Sequence, residues 1–130
     1  MGWLASRMGL RVDQLTKPSP VQALAAITAA VTRQMEPSLW AAAKLNFEGN
    51  QAAYRGFPPL SIHVFEDAGG NVEAVRRAAK MLEDGGVHNQ VTAWGIGENP
   101  IKQQALLKAG ATLVPEINQA IQLALKVEGL

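Results

Sequence analysis

A chain of 130 residues with 48% apolar and 18% charged side chains is long enough for one packed core and too apolar to stay disordered. Twelve basic against eleven acidic residues leave a net charge of +1 with no basic run, which argues against a nucleic-acid footprint, and the lack of cysteine removes disulfides, thiolate metal sites and cysteine nucleophiles. The apolar segments are too short and too interrupted for a bilayer span, and Met1 to Leu10 carries Arg7 and no cleavage site, so neither a membrane helix nor a signal peptide is expected and a reducing, cytoplasmic setting is.

Met1 to Leu15 reads equally as a short helix or a strand, and Thr16-Lys17-Pro18-Ser19-Pro20 breaks it. Proline suits the first helical position, where its missing N–H is an orphan anyway, so Ser19 is the expected N-cap of a helix from Pro20 to about Gln34 with Leu24, Ile27 and Val31 inward. Pro37 ends or restarts that helix. A second helix is expected over Ser38 to Asn46, then a turn at Gly49-Asn50 and a further helical turn within Gln51 to Gly56. Ser61 to Phe65, opened by Pro58-Pro59, is a β-former run bounded by turn residues. Val72, Val75, Ala79 and Leu82 recur at helical spacing opposite Glu73, Arg76, Arg77 and Lys80, and Gly85-Gly86 closes that helix. Val91 to Ile96 is a second strand. Asn99-Pro100 opens a helix to about Lys108, Ala111 to Val114 is a short third strand, and Pro115 opens a last helix with Ile117, Ala120, Ile121, Ala124 and Leu125 on one stripe.

Strands alternating with helices imply parallel pairing through right-handed crossovers, hence an α/β fold: a three-layer Rossmann-like partial domain with a short parallel sheet. We expect a single such domain over residues 1–130, mainly helical over 1–57 and alternating β/α over 58–130. Ligands of open α/β sheets bind beyond the carboxyl ends of the strands, where the pair Glu66-Asp67 precedes Gly69-Gly70, so these carboxylates form a candidate cation site. Asp67 also stands where a helix N-cap is needed. Gly69-Gly70 reads as a tight strand-to-helix turn. Gly95-x-Gly97 lacks the third glycine of a dinucleotide fingerprint, because Pro100 stands in its place. Neither His63, inside the first strand, nor His88, in a turn, has a histidine or cysteine at ligand spacing, so no zinc site is expected. His63 reads as a sheet histidine satisfied by its neighbours, and Trp40 and Trp94 as packing residues.

These segments together resemble the C-terminal part of haloacid dehalogenase-like hydrolases over roughly Thr16 to Ala124. The resemblance is carried by Lys17-Pro18-x-Pro20 before a helix, a strand ending in Glu66-Asp67-x-Gly-Gly, and the closing glycine-bearing loop, helix, Ala-Gly-Ala-Thr-Leu-Val strand and last helix. It implies that Lys17 neutralises a nucleophile and a phosphate, that Glu66 and Asp67 hold Mg²⁺, and that Asn71 orders a metal-bound water. It also implies a phosphorylated small molecule as substrate. The same family uses an Asp-x-Asp nucleophile on an earlier strand, and no Asp-x-Asp occurs in this sequence. The chain therefore looks like a phosphohydrolase truncated of its first half and inactive alone, since an aspartyl intermediate needs that carboxylate. The alternative is a non-catalytic Rossmann-like module for oligomerisation or protein binding. An unfilled first-strand position leaves a sheet edge open, which favours a homo-oligomer or a completing chain, with no nucleic acid and no membrane as partner.

Overall fold

In the computed structural model, which describes residues 19–130, the chain runs α1 (Pro20–Thr32), α2 (Met35–Glu48), a 3₁₀ turn (Ala52–Tyr54), β1 (Leu60–Glu66), α3 (Gly69–Asp84), β2 (Asn89–Ile96), α4 (Pro100–Lys108), β3 (Thr112–Val114) and α5 (Ile117–Val127). The class is α/β, with a short three-stranded parallel sheet in the order β1-β2-β3, consistent with a partial Rossmann-like fold. In the β2–β3 pair, Trp94 stands opposite Thr112, Gly95 opposite Leu113 and Ile96 opposite Val114. None of the described helices is long and apolar enough to cross a membrane.

The chain divides into two compact units, one of residues up to Leu60 with Ala74–Gln90, the other of Ser61–Glu73 with Val91–Leu130. In the first, Ser19 caps α1 through its side chain, which accepts from the Val21 N–H at 3.2 Å, with Pro20 in the first helical position as its ring demands. Arg33 ends α1 in the left-handed region at φ 62°, its N–H donating to the Ala29 carbonyl at 2.7 Å. The chain then enters α2 at Met35, two residues before Pro37. Pro37 therefore neither ends a helix nor starts one. It lies in the first turn of α2, where an N–H has no intrahelical acceptor and its loss costs nothing. Tyr54 is buried, and its hydroxyl reaches Thr28 Oγ1 at 2.9 Å. Thr28 spends its own proton on the Leu24 carbonyl at 2.6 Å, so Tyr54 is the donor. Burial pushes the Tyr54 phenol above its ordinary value of 10.0. Gly86, at φ 94°, closes α3 as a left-handed cap, and the Val87 N–H returns to the Leu82 carbonyl at 2.8 Å.

In the second unit, alternation along the strands sorts the core onto two faces of the sheet. Val64, Ala93 and Leu113 point to one face, where Val72 of α3 and Leu106 and Ala109 of α4 cover them. Phe65, Trp94 and Val114 point to the other, under Ala120 and Ala124 of α5. Asn99 caps α4, accepting from the N–H groups of Ile101 at 3.0 Å and Lys102 at 3.2 Å. The stripe expected on α5 is only partly buried. Ala120 and Ala124 face the sheet, while Ile117, Ile121 and Leu125 stay 48%, 42% and 45% exposed. The alanines seat the helix close to the strands, and the longer side chains beside them are carried past the contact to its flanks.

One glycine of each motif, Gly69 and Gly95, serves packing. A Cβ on Gly69 would lie 2.6 Å from the Ala105 carbonyl oxygen, so the first turn of α3 approaches the backbone of α4 more closely than any side chain permits. Both Gly69 and Gly70 are helical, and neither has positive φ, so the turn expected there is a close helix contact. Gly95 is held by the side chains of Leu106 and Leu113, each 3.0 Å from its would-be Cβ. Gly69→Ala should therefore lower stability by about 1–3 kcal/mol, because the backbone of α4 must move. Gly70→Ala, whose Cβ would meet nothing within 4 Å, should be neutral or up to ~1 kcal/mol stabilising. Urea denaturation of the two variants checks this contrast, and equal effects would remove the close-contact explanation.

Candidate functional site

The corner singled out by the sequence lies at the carboxyl ends of β1 and β2. Glu66 is the last residue of β1, and its Oε2 accepts from Asn71 Nδ2 at 3.2 Å, so Asn71 is spent on this carboxylate. Asp67 pairs instead with Lys102 of α4, Nζ to Oδ2 at 3.3 Å, both side chains more than half exposed. The adjacent acids are thus held by different partners on different helices. Ala68, not Asp67, stands at the N-cap of α3, its carbonyl accepting from the N–H groups of Asn71 at 3.2 Å and Val72 at 3.4 Å. Lys17 lies outside the described residues.

An open cleft beside Asp67 is lined by Gly97, Glu98, Asn99, Lys102 and Gln103. Gln103 Nε2 donates to the Gly97 carbonyl at 3.1 Å, and Gly97 makes the bend at φ 115°. The start of α4 offers little to an anion: Pro100 has no N–H, and the Ile101 and Lys102 N–H groups already donate to Asn99. A Mg²⁺ site requires a carboxylate with lone pairs open to the metal, and the Lys102 ammonium competes for Asp67. No group of three or more His, Asp or Glu side chains converges among the described residues. A cation at Asp67 would have to displace the Lys102 ammonium.

A second cluster forms where sequence reading gave only a satisfied histidine. Alternation along β1 puts Ser61, His63 and Phe65 on the face covered by α5. Trp94 Nε1–H donates to His63 Nδ1 at 3.1 Å, which leaves the proton of the neutral ring on Nε2, and Nε2 donates to Glu128 Oε1 at 2.8 Å. Ser61 Oγ donates to the same Glu128 oxygen. The imidazole plane is nearly parallel to the indole plane, at 12°. Ser, His and Glu are therefore together, but not as a nucleophile and its base. The serine proton points to the carboxylate, and neither imidazole nitrogen is open to receive it. The cluster instead ties the end of α5 to β1. Glu128 stands 65 residues from His63, so no local spacing announces the contact. His88, expected in a turn, sits exposed and pairs with Glu83 at 2.8 Å.

The Ser61 hydroxyl first, and the His63 ring second, hold the Glu128 carboxyl below its ordinary value of 4.5. A carboxylate depressed in the folded state contributes stability above its unfolded value and loses it as the pH falls through the folded one. Glu128→Gln should therefore melt below the parent chain at neutral pH, the gap closing once the medium is more acidic than the Glu128 carboxyl in the folded protein. Thermal melts of both chains from neutral to strongly acidic pH measure this, and a gap that widens on acidification would reverse the assignment. No protein-family model, curated protein or solved structure matches the chain.

Proposed function

We propose that this chain is a non-catalytic Rossmann-like module that acts by binding protein, not the phosphohydrolase that its resemblance implies. The observation that carries the reading is α5. Beyond Ile117, Ile121 and Leu125, it leaves Leu123 and Val127 at 41% and 61% exposure, and Leu130 follows at 85%. Single exposed apolar residues are ordinary, but a helix that buries two alanines and presents its large side chains to solvent is a surface made for a partner. The corner at the strand ends supports the same reading, since Asp67 is neutralised by Lys102, Glu66 holds Asn71, and the sequence has no Asp-x-Asp to supply a nucleophile. A cytoplasmic setting belongs to the proposal, supported by the cysteine-free sequence.

The test is hydrolysis of an aryl phosphate by the purified chain with and without Mg²⁺, with Asp67→Asn as control. We expect no turnover above the control and no rise in melting temperature on adding Mg²⁺, because a ligand that does not bind the folded state does not stabilise it. Loss of the exposed Asp67–Lys102 pair should itself cost no more than about 1 kcal/mol. Mg²⁺-dependent turnover that disappears in Asp67→Asn would replace this reading with the hydrolase.

A further inference from the structure

The two edges of the sheet are built differently. β3 is three residues long and is followed at once by Pro115, which has no N–H to offer a neighbouring strand. Short edge strands and edge prolines are the usual devices that keep an edge from pairing. β1, at the other end of the sheet, is seven residues, Leu-Ser-Ile-His-Val-Phe-Glu, with no proline and no lysine. The Leu60 N–H donates to the His88 carbonyl at 2.9 Å, just ahead of β2. By alternation, the backbone groups of Ile62, Val64 and Glu66 turn the same way, and those of Ser61, His63 and Phe65 turn to the open edge. Among the described residues no strand pairs there.

We propose that a second copy of this chain pairs antiparallel along β1, with the two-fold axis at His63. The inference rests on the binding reading above and names the partner. The edge is self-complementary in this register. His63 exchanges both backbone bonds with the partner's His63, and Ser61 exchanges both with the partner's Phe65. Ile62 falls opposite the partner's Val64, a β-branched pair of the kind that stabilises antiparallel strands, and Glu66 falls opposite the partner's Leu60, so no like charges meet. This is an isologous contact, which closes at two copies. A strand pair alone buries well under the ~800 Å² per partner of a stable complex. The flank of α5 supplies the remainder. Ile117 and Ile121 share a helical face with Glu128, at spacings of i, i+4 and i+11, and Glu128 reaches β1, so these half-exposed side chains lie on the β1 side of the helix. The undefended edge and the exposed flank are parts of one surface.

Sedimentation velocity of the full chain from low micromolar to several hundred micromolar, with amide hydrogen exchange at both ends of that range, tests it. A dimer is expected, with the amides of Ser61, His63 and Phe65 protected only where the dimer is populated. Ile121→Glu, on the exposed flank, should raise the dissociation constant by about tenfold or more. Ser61→Pro should do the same by removing an edge N–H that β2 does not use, and Ser61→Lys replaces it if the proline variant loses its native circular dichroism. A chain that stays monomeric at the highest concentration overturns the proposal. So does a dimer whose β1 amides exchange as fast as the monomer's, an outcome that keeps the binding module and moves its interface elsewhere. Mg²⁺-dependent turnover speaks only to the module reading.

Discussion

Alanine makes up much of the buried face of three helices of this protein, and its size sets how closely they can be seated. α2 buries Ala41, Ala42 and Ala43, α3 buries Ala74, Ala78 and Ala79, and α5 buries Ala120 and Ala124. Small contact residues bring helix axes to the near end of the usual packing distances. At Gly69 the same tendency reaches its limit, where helix backbone meets helix backbone and even a methyl group is excluded. A contact made by alanines alone, as on α5, removes little apolar area from water for each residue ordered, so that helix is seated closely but held lightly. Large side chains beside the contact then have no room beneath the helix. On α5 this geometry produces an exposed apolar flank from a sequence whose periodicity alone predicts a buried stripe.

Periodicity reports which residues share a face; it does not report how far that face stands from its neighbour. That is why the elements were legible and the fate of α5 was not. Ser19-Pro20 and Asn99-Pro100 each join a capping side chain to a ring that fits only the first turn, and both act as read. The strands over Ser61 to Phe65 and Val91 to Ile96 gain only terminal residues. Pro37 misleads because proline is a breaker inside a helix and harmless in its first turn, and the start of α2 at Met35 has no side-chain cap to mark it. Gly69-Gly70 misleads for a related reason: glycine is selected for a sharp turn and for a close approach alike, and the sequence does not say what approaches.

The site shows the same division. Glu66-Asp67 falls at the carboxyl end of a strand as read, but adjacency in sequence is not convergence in space. Asp67 meets Lys102, 35 residues on, and Glu66 meets Asn71 in the next helical turn. The Ser61–His63–Trp94–Glu128 cluster joins an edge strand, its neighbour and the last helical turn, and no single-chain pattern encodes that meeting. Its only sequence sign is the polar alternation Ser61, His63 inside an apolar strand, which marks a face with something polar to satisfy.

The way α5 is fastened also sets what it does when it lets go. Two alanines and one exposed carboxylate are a light attachment, and elements with few buried apolar contacts open locally at free energies well below that of global unfolding. When α5 lifts, Trp94 and Val114 lose the cover it gives them. Anything that grips the outer flank of the helix therefore also holds its inner face against the sheet, and occupancy is transmitted inward as protection of the core. A partner bound to α5 would thus lengthen the time the fold stays closed.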